Sequence, residues 1–310
     1  MLPIANGSIL PLRTSVERDE GPAETSSLKR KAACFVILLF GAVARARGAS
    51  FDHAIWDRTL KTYVSELGEV DYRALKANRN DLDDYVRSLG AASPASRPDL
   101  FPSRAHELAY WMNAYNAFVI RGVIDHYPIK SVRDAGVLYG FFWRDDYLAG
   151  GVKISLFHLE NEVIRKKYRE PRIHFGIVCA AVSCPLLSRA AFTAENLETQ
   201  LEQLTRRFIN ERRNLMIDPV ANTAALSKIF DWYTKDFEAP VAPGEPQGTL
   251  IEYVRRHAND DNRRALDALR RPKITFSDYD WSLNEPGSRA RARSPLDREL
   301  AGVSATSGRH

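Results

Sequence analysis

Cys179 and Cys184 carry the most reactive side-chain chemistry in this 310-residue chain, which has three cysteines in all. A disulfide or buried thiol and a nucleophile are the leading readings for them, ahead of a metal ligand. Export with loss of a leader holding Cys34 would leave an even pair in an oxidising compartment, which favours a disulfide. Five residues around a Ser183-Cys184-Pro185 turn can bring two Cα atoms within about 4.4–6.8 Å. So short a loop would add about 2 kcal/mol. The other reading makes Cys179 a nucleophile, which needs a neighbouring base or a helix N-terminus to depress its thiol pKa. His174 is the base nearest in sequence, unless it is a histidine hydrogen-bonded in the core. If residues 173–179 form a strand, five residues cover about 16 Å and the odd spacing sends the two side chains to opposite faces. A His174–Cys179 dyad then requires a bend, for which Gly176 is the local candidate.

Asn113 and Asn116, three positions apart, share one face of a helix. Amides on an otherwise apolar helix need partners. They read either as substrate-binding groups lining a cleft or as ties to neighbouring loop backbone. Phe230, Trp232, Tyr233 and Phe237 read as core at helical spacing, with Asp236 left to cap or pair. His158 reads as surface.

These residues need a scaffold, and periodicity supplies one. Helices are expected over residues 51–67, 82–89 and 106–126, the last stopped before Pro128. Ser155 offers an N-cap for a helix to about Tyr168, and Thr193 for one reaching Asn210. Further helices are expected at 228–237, 250–258 and 263–269. The apolar run 173–179 reads as a buried strand, with shorter strands at 215–217, 224–226 and 273–276. Strands and helices without a repeated βαβ rhythm argue an α+β fold, mostly helical, with a small and largely buried sheet. The Pro-rich insert 238–248 is too short to divide it, so residues 50–284 read as one domain.

The ends read differently. Lys29, Arg30 and Lys31 precede an apolar run at 32–43, and Ala44-Arg45-Ala46 comes next. A basic patch, a short apolar run and an Ala-x-Ala end are the parts of a signal peptide, here 29–46 with cleavage near Ala46. Such a run spans roughly 18 Å, well short of a bilayer's hydrocarbon core. Residues 1–28 are polar and make either a long disordered leader or a stretch upstream of a later start, for instance at Leu28. Residues 285–310 are rich in Arg and Ser and read as a disordered tail. The net charge of +5 belongs mostly to these ends. Residues 1–46 carry six basic against four acidic side chains and the tail five against three, whereas residues 47–284 are nearly balanced. No nucleic-acid partner is therefore expected of the fold. Neither is a transmembrane span. Walker, G-x-G-x-x-G, H-E-x-x-H and G-x-S-x-G patterns are missing, and three cysteines lack a zinc spacing. No cofactor or metal is expected.

Several motifs occur in order: Gly68-Glu69-Val70-Asp71-Tyr72, Trp111-Met112-Asn113-Ala114-Tyr115-Asn116-Ala117, Leu159-Glu160, Pro171-Arg172-Ile173-His174-Phe175, Cys179 through Cys184-Pro185, Phe230-Asp231-Trp232-Tyr233, and Tyr279-Asp280-Trp281-Ser282-Leu283-Asn284. Together they resemble the domain-of-unknown-function 547 family, from about Phe51 to Asn284. The resemblance implies a grouping without a settled reaction. Bacterial members are often exported, and plant relatives carry the domain behind other modules. The position after Glu160 is often His in relatives and is Asn161 here. In its family-like position Glu160 either pairs with a cation such as Arg172 or orients a histidine in a cleft.

Two functions are compatible with these residues. The first is an exported, periplasmic or extracellular, thiol-dependent hydrolase or acyl-transfer enzyme. In it Cys179, His174 and Glu160 are catalytic, and Asn113 and Asn116 bind a small-molecule or peptide ligand. The second is a non-catalytic envelope or secreted binding module stapled by a Cys179–Cys184 disulfide.

Overall fold

The long central helix is apolar on all sides of its middle, where Asn113 and Asn116 are the polar exceptions. Ser103 caps it by accepting from the His106 N–H, and from Leu108 to Ile120 every residue is buried. A helix apolar all round belongs in a core. The computed structural model describes residues 50–135, 140–144, 146–240 and 246–291. These belong to one compact unit. The expected leader 1–28 and signal peptide 29–46, with Cys34, lie outside the described residues, as does the tail beyond residue 291.

The N-terminal layer comprises α1 (Ala54–Tyr63), α2 (Tyr72–Ala77) and α3 (Asn80–Ala91); α2 and α3 pack against the central α4 (Arg104–His126), and α1 packs on α3. The short α5 (Gly140–Trp143) precedes a hairpin of β1 (Tyr147–Ala149) and β2 (Val152–Ile154). Its turn is Gly150-Gly151, both at positive φ, as a two-residue hairpin turn requires. Next come α6 (Leu156–His158), a π-helical segment Leu159–Arg165 and α7 (Lys166–Tyr168), which run on as one helix. Its N-cap is Ser155, as expected. After the disulfide loop, α8 (Leu197–Asn210) leads to β3 (Leu215–Asp218) and β4 (Thr223–Leu226). The short α9 (Lys228–Trp232) and α10 (Thr234–Phe237) come after it, then α11 (Leu250–His257), α12 (Asp260–Asp267), β5 (Lys273–Phe276) and α13 (Ser288–Arg291). In the sheet β4 is central, antiparallel to β3 and parallel to β5.

The α+β class and most expected elements are therefore present. The sheet is less buried than expected: β4 and β5 alternate covered and more open positions, so only one face packs on the core. The largest correction concerns residues 173–179. Pro171–Phe175 is a 3₁₀ helix, followed by a turn at Gly176 and irregular chain through Cys179. Pro171 starts the helix at its first position, and the Glu170 side chain caps it by accepting from the Arg172 N–H. Continuous burial made this run look like a strand, and burial alone does not set a period. Packing also continues past Asn284: the Gly287 and Arg289 N–H groups donate to the Glu69 carboxylate, and Arg289 Nη2 donates to the Cys184 and Pro185 carbonyls.

Candidate active site

Asn113 and Asn116 tie α4 to two neighbouring loops. Asn113 Nδ2 donates to the Phe192 carbonyl at 2.7 Å, and the Phe192 N–H returns to Asn113 Oδ1 at 3.0 Å. Asn116 does the same to the next loop, donating to the Gly176 carbonyl at 2.9 Å and accepting from the Val178 N–H at 3.0 Å. Both are buried, with their amides committed to backbone. Their expected substrate-binding role is replaced by the other reading: they fix the loop that carries Cys179. Gly176 is where that loop crosses α4, and a Cβ there would lie 2.4 Å from Met112 Cε.

Cys179 and Cys184 form a disulfide, S–S 2.29 Å with Cα atoms 6.2 Å apart. The loop around them is clamped from both sides. The Val182 N–H donates to the Ser282 carbonyl, the Asn284 N–H to the Ala180 carbonyl, and Arg213 to the Val182 carbonyl. Ala180 adopts φ 64°, a left-handed conformation unusual for a residue with a Cβ, and these contacts hold it there. Tyr279 O–H reaches both sulfurs, at 3.1 and 3.2 Å. As half of a disulfide, Cys179 has no thiolate, so the nucleophile reading requires a reduced protein.

With no strand between them, His174 and Cys179 do not diverge. The 3₁₀ turn brings both to the wall of one cavity of about 360 Å³. His174 is nonetheless engaged. Its ring stacks on Tyr233 at 3.8 Å, and Nε2 lies 2.7 Å from Asp236 Oδ2. Asp236 also accepts two bonds from Arg165, and that guanidinium lies over the other partner of the stack, Tyr233, at 4.8 Å. Burial drives the His174 pKa below its usual 6.5, against the opposing hydrogen bond and charge of Asp236. Asp236 falls to about 2: its bonds to His174 and Arg165 outweigh burial. The Asp236 hydrogen bond and the charges of Glu160 and Asp236 favour the proton on His174, but burial outweighs them. His174 is therefore neutral, with Nε2–H donating to the carboxylate.

Glu160 sits on the π-helical segment and pairs neither with Arg172 nor with a histidine. Arg172 binds Glu170 and Glu198. The Glu160 carboxylate accepts from Tyr115 O–H at 2.8 Å and Tyr233 O–H at 2.6 Å. Burial first, and then the charge of Glu160, raises both phenol pKa values, so the two hydroxyls stay protonated donors. Asn161 faces the same cavity, its Nδ2 donating to the Phe157 carbonyl and its Oδ1 accepting from Arg165.

The rest of the wall is aromatic and was not expected as site. Trp143 and Phe157 stack at 3.8 Å on one side. Trp232, Tyr279 and Trp281 cluster on the other, with ring centroids 4.5–5.6 Å apart. Phe230 and Phe237 are core as expected, but Trp232 and Tyr233 of the same run line the cavity. The Trp-Tyr and Tyr-x-Trp pairs in the motifs were the available signal, since aromatics alternating with Asp suit a wall better than a core. Among the described residues no group of three or more His, Cys, Asp or Glu could hold a metal ion. No described helix is long and apolar enough to cross a membrane.

Set against known families, residues 101–209 match the model for "Protein of unknown function, DUF547". That match bears out the family resemblance over α4, the π-helical segment, the disulfide loop and most of α8. No curated protein and no solved structure matches the chain.

Proposed function

We propose that this domain is a small-molecule-binding module whose ligand enters the aromatic cavity. The observation that carries the reading is the wall itself: the stacked Trp143–Phe157 pair, the Trp232, Tyr279 and Trp281 cluster and the Cys179–Cys184 disulfide line one cavity. A pocket of a few hundred cubic ångströms, mainly apolar with a few convergent polar groups, suits a small ligand. A bridged Cys179 and a His174 held by Asp236 supply no ready nucleophile and base. The rival reading, a thiol-dependent hydrolase, rests on His174 and Cys179 sharing the cavity.

Calorimetric titration with naphthylmethanol tests the proposal. One saturable site is expected, weakened about 10-fold by Trp232→Ala, the effect of losing one stacked aromatic. Nitrophenyl acetate should be hydrolysed no faster by the native protein than by Cys179→Ala. Absence of saturable binding, or turnover that depends on Cys179, overturns the module.

The reading includes export. The basic, apolar and Ala-x-Ala pattern over residues 29–46 supports it, as does a disulfide, which persists in oxidising compartments. Fractionation after expression of the full chain should yield an exported product starting just after Ala46. Cytoplasmic protein that retains residues 30–50 would refute export.

A further inference from the structure

The cavity has a charge asymmetry that its aromatic lining does not explain. Glu160 is a carboxylate on its wall, satisfied by two neutral donors, Tyr115 and Tyr233, with no ion-pair partner within 4.0 Å among the described residues. Every other titratable group nearby is balanced. Asp236 and Arg165 neutralise one another, and His174 is uncharged, donating to Asp236. No Lys or Arg among the described residues lines the cavity. Glu160 is half-buried, and without an ion-pair partner its carboxylate leaves a negative charge facing the space a ligand would fill.

The rim adds a second, independent observation. Trp143 is 56 % exposed, Trp232 43 % and Phe157 41 %, large values for side chains that could have been buried. Their π-faces carry partial negative charge, and indole faces attract cations most strongly. A carboxylate inside and aromatic faces around the mouth favour the same ligand charge.

We propose that the cavity selects organic cations: ammonium-bearing molecules with an apolar or aromatic body, the cationic head beside Glu160 and the body between the Trp143–Phe157 and Trp232–Tyr279–Trp281 walls. This rests on the cavity being a ligand site, and it adds the ligand's charge. An anionic ligand meets Glu160 without compensation and is rejected. A neutral one fills the walls but leaves the carboxylate unpaired.

Calorimetry with three probes of one ring system separates the two claims: trimethyl(naphthylmethyl)ammonium, naphthylmethanol and naphthoate. The cation should bind about 10-fold more tightly than the alcohol, the scale of a desolvated cation–π and carboxylate pairing, with naphthoate weakest. Glu160→Gln should lower the cation-to-alcohol affinity ratio several-fold, leaving the smaller preference that the aromatic faces supply. Glu160→Asp, which keeps the charge, should retain most of the preference. If the alcohol binds as tightly as the cation, or Glu160→Gln leaves the ratio undiminished, the charge selection by Glu160 is wrong while the binding module stands. If none of the three probes binds, the module reading itself fails.

Discussion

Burial keeps His174 neutral beside the Asp236 carboxylate, and the charge of Arg165 adds to that effect. Its guanidinium both holds the Asp236 carboxylate and lowers the His174 pKa by its charge. Arg165→Met should therefore raise the His174 pKa, read from the pH dependence of its ring resonances. An unchanged value would show that burial alone sets it. Asn116 makes a sharper stability case. Asn116→Ala strands the Gly176 carbonyl and the Val178 N–H in the core. At about 1–3 kcal/mol for each unsatisfied group, unfolding in urea should show a loss of several kcal/mol. A loss below about 1 kcal/mol would mean that water replaces the amide. Sequence alone reached the choice between loop tie and ligand contact for these asparagines. It could not decide between them, because the deciding partners lie some sixty to eighty residues away, at Gly176, Val178 and Phe192.

At the scale of elements, the site depends on a helix that is locally over-wide. The π-helical segment Leu159–Arg165 aims Glu160 at Tyr115 and Tyr233 while Arg165, five residues on, reaches Asp236. π-turns carry an extra residue, so deleting one restores α-geometry and changes the spacing of Glu160 and Arg165 within the segment. Deletion of Asn161 should keep the helical far-ultraviolet signal and abolish naphthylmethanol binding. Retained binding would show that the π-turn is incidental to the cavity. Ser155 as N-cap was legible in the sequence, whereas the π-turn was not, since both windings present a similar apolar pattern over so short a span. The expected strand at 173–179 failed for a related reason. Ile173, Phe175, Ile177 and Val178 are all buried, and a run buried on every side has no period to read. A strand there would have kept His174 and Cys179 apart, and its absence removes that geometric objection to a shared site.

At the scale of the molecule, the existence of most helices, the small sheet and the charge-balanced fold were legible, because they stem from local periodicity and composition. Helix ends were less so, as with the expected Thr193 cap of a helix that begins at Leu197. The cavity was not. Its walls come from α5, α6, the disulfide loop, α9 and residues 279–281, which only the tertiary fold assembles. Stability should also depend on pH in a defined direction. Burial holds His53, bonded to Tyr85, at about 4, below the 6.5 of an exposed histidine. Between those values the unfolded chain takes up a proton that the folded one refuses. Stability is therefore complete above pH 6.5 and falls as pH drops toward 4, by up to ~3 kcal/mol from this residue. The lowered pKa of His174 acts in the same direction. Melting curves across this range should flatten in His53→Gln, and an unchanged slope would assign the dependence elsewhere.

Whether Cys179 is bridged or free in the native protein decides between a binding module and a thiol enzyme. Peptide mapping after alkylation with iodoacetamide, with and without prior reduction, answers this directly. Cys179 and Cys184 should both be unlabelled without reductant and both labelled after it. Quantitative labelling of Cys179 in unreduced, folded protein would contradict the binding module and restore the thiol as the centre of the site.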